Sequence, residues 1–120
     1  MYDYKAKVIR WHDGDTALVL VDQGFGVGIT VWVRLMDCWA KEMPTLEGVS
    51  ALAAARALVP DGTACYVITR KLDDKPWFQG KQLPQTFARW LGVIYPLDPQ
   101  GGSVNEVLVA TGHATLTREA

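Results

Sequence analysis

Asp13-Gly14-Asp15-Thr16-Ala17-Leu18-Val19-Leu20-Val21 is the stretch whose reading decides the fold. Asp and Gly tolerate the dihedrals of a tight turn. The aliphatic, β-branched run from Thr16 to Val21 then reads as a buried strand. Outward from it, Tyr4 to Trp11 is aromatic and β-branched and predicts the strand before the turn. Asp22 to Gly28 is a glycine-rich connection, and Ile29 to Leu35 returns as a third strand. The spacing of Gly24, Gly26 and Gly28 resembles a phosphate loop, but such loops open a helix. No helical pattern follows, so a plain hairpin is expected.

Farther along, Met36 to Glu47 is mixed and turn-like. The alanine-rich segment Leu46 to Val59 predicts a helix, with Val49, Leu52, Ala53 and Leu58 near one face. Pro60-Asp61-Gly62 stops it. Ala64 to Thr69 is a fourth strand, Arg70 to Gln85 a long exposed loop, and Phe87 to Tyr95 a fifth strand. Ser103 and Glu106 have the spacing of a capping box for a last helix that ends by Gly112. Five strands and two helices predict an α+β, mainly β fold: one domain over residues 1–120, built as a five-stranded barrel of the OB type. Closure removes the sheet edges of such barrels, and many of them bind oligonucleotides.

The chain has 120 residues, long enough for a hydrophobic core without staples. Its longest aliphatic runs are too short to span a bilayer, so no membrane is expected. No secretory leader precedes the first strand. Cys38 and Cys65 fit neither a metal knuckle nor a disulfide framework and are expected as buried free thiols, which favours an intracellular setting. The formal net charge of −1 argues against broad, non-specific duplex binding, which rests on many Lys and Arg contacts to phosphate. Any nucleic acid is expected to be held locally, by a few arginines and a cation.

Three residues stand out chemically. Asp15 follows a tight turn at the mouth of a strand, where a carboxylate can face a ligand or simply stabilise the turn. Arg34 closes an apolar strand beside Trp32 and Val33. Arg89 sits between Phe87-Ala88 and Trp90-Leu91. A charge in such a place is either paired or functional.

Taken in order, Asp15, Arg34, Glu42 and Arg89 resemble the catalytic layout of the staphylococcal-nuclease (thermonuclease-like) family. The likeness extends through Lys5-Ala6-Lys7-Val8-Ile9, the Asp-Gly-Asp-Thr turn, Val33-Arg34-Leu35, the start of the last helix at Val104-Asn105-Glu106 and its end at Thr111-Gly112-His113-Ala114. The resemblance implies a calcium-dependent endonuclease acting on DNA or RNA, single strands favoured. Asp15 would then be a calcium ligand and Ala40 would offer its backbone carbonyl to the ion. Glu42 would be the general base, with Arg34 and Arg89 as phosphate clamps. These residue types suit the chemistry. A hard cation needs oxygen ligands, a carboxylate can take a proton from water, and a guanidinium fork binds phosphate oxygens while staying charged.

Two departures matter. Trp39 stands where the family has a second metal-binding aspartate, and Lys41 where it has proline. Asp37 is the substitute ligand, two residues early. In the fifth strand, Gln85-Thr86-Phe87-Ala88-Arg89 keeps the arginine and replaces a tyrosine with Phe87. Phe87 and Trp77, the latter able to stack on a base, are the candidates for substrate contact. The alternative is a catalytically impaired OB module that binds single-stranded nucleic acid or a protein partner. His12 and His113 are expected to be structural, one beside a turn and one beyond a helix end. The remaining tryptophans are expected mostly in the core.

Overall fold

The structure is a computed structural model that describes residues 2–71, 89–98 and 101–117. Strands β1 (Tyr2–Asp13), β2 (Thr16–Gly24), β3 (Val27–Leu35), β5 (Ala64–Lys71) and β6 (Arg89–Pro96) close into a barrel in the order β1-β2-β3-β6-β5. Strands β3 and β6 are parallel and the other pairings antiparallel. This is the expected α+β, OB-like barrel. Alternation builds its interior, because side chains two apart share a face. Val8, Val19, Val33, Leu35, Val67 and Ile94 are all fully buried there. Trp11 joins them, its indole N–H donating to Val59 O at 2.9 Å.

Helix α1 (Leu46–Leu58) and helix α2 (Val104–Ala110) pack on the barrel. The expected capping box forms on α2, with Ser103 and Glu106 exchanging bonds. Thr45 caps α1, its hydroxyl accepting from Gly48 N at 3.0 Å. Neither helix is long and apolar enough to cross a membrane. Cys38 and Cys65 are buried free thiols, as expected. Burial pushes their pKa values up, to about 12 and about 11, which leaves both as thiols.

Several boundaries differ from the sequence reading. Strands β2 and β3 run farther than expected and leave only Phe25 and Gly26 as the turn, both at positive φ. Residues 70 and 71 belong to β5 rather than to a loop. Two short strands arise where none was expected, β4 (Trp39–Ala40) and β7 (Ala114–Thr115), paired with one another. Leu52 and Leu58 pack against the core as expected, but the fully buried positions of α1 are Gly48, Ala51 and Ala55, while Val49 and Ala53 face outward. Small side chains let the helix lie close to the barrel, and that closeness outweighed the hydropathy of Val49. Of the tryptophans described, only Trp11 is fully in the core; Trp32, Trp39 and Trp90 are half-buried.

Asn105 is a buried polar residue that the sequence reading did not single out. Its Oδ1 accepts from Ile94 N at 3.2 Å, and its Nδ2 donates to Met36 O at 2.8 Å and Gly92 O at 3.1 Å. One side chain thus joins α2 to β6 and to the end of β3. Asn105→Ala removes all three bonds, although Gly92 O keeps the one from Met36 N, and should cost about 2–4 kcal/mol. In a thermal melt the midpoint should fall by on the order of 10 °C; a fall below about 2 °C would show that water replaces the amide freely.

Candidate functional site

The site lies at one end of the barrel, where the β1–β2 turn meets β4. The turn is fixed locally, Asp13 Oδ1 accepting from Asp15 N at 3.1 Å. It is fixed across the barrel as well, because Asp15 O accepts from Leu35 N at 2.8 Å. Antiparallel pairing places Thr16 opposite Arg34, so the acid and the guanidinium reach the same place from neighbouring strands.

Asp15 is only 9% exposed. Its Oδ1 accepts from the Thr16 hydroxyl at 3.1 Å and its Oδ2 from Ala40 N at 3.1 Å. Its pKa is raised from an ordinary 3.8 to about 6, by burial first and then by the hydrogen bond and like charge of Asp13. The Ala40 N–H and the Arg34 charge act in the opposite direction and are outweighed.

Arg34 is equally buried and lies over the Trp39 indole, its Cζ 3.3 Å from the ring centroid. Its Nη1 donates to Leu35 O at 3.4 Å. The indole holds the guanidinium by a cation–π contact. At the position where a carboxylate was expected to face a cation, an aromatic ring faces a cation of the protein's own.

Asp15, Arg34, Asp37, Ala40 and Glu42 all line one open cavity of about 1220 Å³. Glu42 is exposed on its wall. The Glu42 carbonyl accepts from the Thr45 hydroxyl at 2.6 Å and from Thr45 N at 3.2 Å, which anchors the base candidate to the first turn of α1. Asp37 is exposed, at φ 52. Arg89 opens β6 opposite Trp32, two residues before Leu91, which pairs with Arg34 and lines the cavity. Trp77, in the expected loop, and Phe87, in the expected fifth strand, lie outside the described residues.

The cavity also gathers residues that the sequence reading set aside. Asp13, Thr16, Lys41, Glu47 and His113 are on its wall. The Gly112-His113 motif was the only sequence signal for His113, and its tie to this site comes through β7, which two residues of sequence do not announce.

The donor set suits a hard cation in kind, since Asp13, Asp15, Asp37 and Glu42 offer only oxygens. Part of what keeps Asp15 protonated is the Asp13 charge, and a divalent cation between the two relieves it. In number the set is thin. Trp39 supplies no oxygen, and it is the N–H of Ala40 that meets Asp15. Among the described residues, no group of three His, Cys, Asp or Glu side chains converges as a metal cluster. The residues present therefore fit a weak site built on Asp15, with Asp13 beside it.

Comparison with known proteins identifies no family. No protein-family model matches the chain, and no curated protein matches it.

The raised Asp15 pKa carries a pH dependence. The folded protein binds this proton more tightly than the unfolded chain does, so its stabilising effect is full below pH 3.8 and is lost as pH rises through about 6. Asp15→Asn does not titrate, and its amide oxygen can still accept from Ala40. The variant should match wild type near pH 4 and exceed it at pH 7, by about 1–3 kcal/mol. Paired melts at the two pH values check this; an equal offset at both would place the pKa near its ordinary value. Calcium should raise the wild-type melting point at pH 7 and leave that of Asp15→Asn unchanged.

Proposed function

We propose that this protein is a nuclease of the staphylococcal-nuclease type, hydrolysing phosphodiester bonds in DNA or RNA with a weakly held calcium ion. The observation that carries the reading is the convergence of Asp15, Arg34 and Glu42, from three separate segments, on one open cavity. Single strands are the favoured substrate. The net charge of −1 provides no broad basic face for a duplex.

Asp15, with Asp13 beside it, would hold the calcium ion, which would supply polarisation of the phosphate and a lower cost of deprotonating water. Glu42 accepts the proton of the attacking water. Arg34 meets the charge that grows on the equatorial oxygens, with the Trp39 indole packed against its guanidinium. Arg89 completes the clamp in this reading.

A second reading has its own support, the Arg34–Trp39 stack. A ring that occupies the place of a carboxylate weakens the cation site and leaves an arginine and an aromatic surface, a combination suited to holding a strand without cutting it.

Hydrolysis of a single-stranded oligonucleotide at millimolar calcium, with a chelator control, separates the two. The nuclease reading expects turnover that vanishes in chelator; full turnover in chelator sinks the metal mechanism, and binding without turnover favours the second reading. Glu42→Gln should lower the rate by about 10²–10⁴-fold with the fold intact. The helix cap uses the backbone carbonyl of Glu42, which the substitution keeps. Wild-type turnover in this variant would move the base elsewhere, Glu47 being next on the cavity wall.

Trp39→Asp tests the cation site itself. A second carboxylate near Asp15 is worth on the order of 1–3 kcal/mol toward a divalent ion, or roughly ten- to a hundredfold in affinity. Arg34 competes for the new charge and loses its indole, so a melt must accompany the calcium titration. A folded variant with unchanged calcium affinity shows that position 39 does not face the ion.

A further inference from the structure

His113 is tethered at one ring nitrogen. The Thr111 hydroxyl donates toward Val107 O at 2.8 Å, with Leu108 O also within reach at 3.4 Å. The same oxygen lies 2.8 Å from His113 Nδ1 and accepts there in the tautomer with the proton on Nδ1. In that tautomer Nε2 carries the lone pair. The backbone is fixed as well, since Gly112 turns at φ 81 and His113 N donates to Leu108 O at 2.9 Å.

The location joins this imidazole to the proposed reaction. In the β4–β7 ladder Trp39 faces Thr115 and Ala40 faces Ala114, the residue that follows His113. Ala40 is the residue whose N–H reaches Asp15. His113 is half-buried and shares the cavity wall with Asp15, Arg34 and Glu42.

We propose that His113 is the general acid of the reaction, protonating the oxygen that leaves phosphorus; the inference rests on the hydrolytic reading above. Water oxygen forms a bond to phosphorus while its proton passes to Glu42. The bond from phosphorus to the leaving sugar oxygen breaks, and its electron pair takes the proton from Nε2 of the imidazolium. The products are a phosphomonoester and an alcohol, with Glu42 protonated and His113 neutral. Proton exchange with solvent restores both. A nucleic-acid leaving group is a poor alkoxide and needs such a donor. Arg34 does not release its proton, and Glu42 is occupied as base.

The experiment compares two substrates on the full chain in calcium. One is a single-stranded oligonucleotide, whose alkoxide must be protonated; the other is bis(4-nitrophenyl) phosphate, whose phenolate leaves without help. His113→Asn keeps an amide N–H where Nδ1 bonds Thr111 and removes Nε2. It should slow oligonucleotide cleavage about 10²–10⁴-fold and change 4-nitrophenolate release by less than about threefold. His113→Gln, with melts on both variants, is the second test should the first not fold. Equal loss on both substrates overturns the proposal in favour of a merely structural histidine, as does no loss on either. Wild type inert toward both removes the hydrolytic reading and this inference together, whereas active wild type with an unaffected variant removes only the role of His113.

Discussion

The site depends on how little room there is at Gly14. A Cβ built there would lie 2.7 Å from the Ala51 Cβ and 2.8 Å from the Ala40 Cβ, closer than carbon atoms pack. Three elements therefore meet at a point only a hydrogen can occupy: the β1–β2 turn, helix α1 and strand β4. Gly48 repeats the constraint one helical turn earlier, where a Cβ would run into the Glu42 carbonyl. The close approach brings the Asp15 carboxylate within reach of Ala40 N, and it holds Glu42 against the start of α1. Both carboxyl-bearing residues, Asp15 and Glu42, are placed by contacts of glycine and alanine.

Electrostatics then couples what packing has assembled. Asp15 is buried beside a like charge and is held neutral up to about pH 6. Arg34, the nearby positive charge, is given over partly to the Trp39 ring. A carboxylate in place of Trp39 would compete for both Arg34 and a cation, and the balance among the three would shift. The indole packs against Arg34 and brings no oxygen to the cavity, so in the proposed function a cation would rest on Asp15 and its neighbour.

Much of this could be read from residues alone, and the misses have a common cause. The barrel strands announce themselves by alternation and the capping box by Ser103 and Glu106, while Asp15, Arg34 and Glu42, picked out by a resemblance, share one cavity wall. Strands β4 and β7 have two residues each, too few to show a period, and form only because distant segments pair. The fully buried positions of α1 are invisible to hydropathy because glycine and alanine carry little of it. Asn105 and His113 take their roles from carbonyls and walls supplied by other elements. Local propensity does not encode those partners, whereas it does encode caps and turns.

The charge around the cavity limits what can enter it. Asp13, Asp15, Asp37, Glu42 and Glu47 stand on its wall against Arg34 and Lys41, with His113 able to add one positive charge. A phosphodiester is an anion, and it would enter this field against repulsion if every carboxylate were ionised. Burial and Asp13 keep Asp15 neutral below about pH 6, which removes one of those charges without any ligand. Above that pH, Asp15 becomes the carboxylate that can hold a divalent ion, and the ion adds two positive charges where one negative charge was gained. In the proposed function, substrate entry and cation binding would therefore be tied to the same group. In a chain whose net charge is −1, local compensation of this kind would take the place of a basic surface.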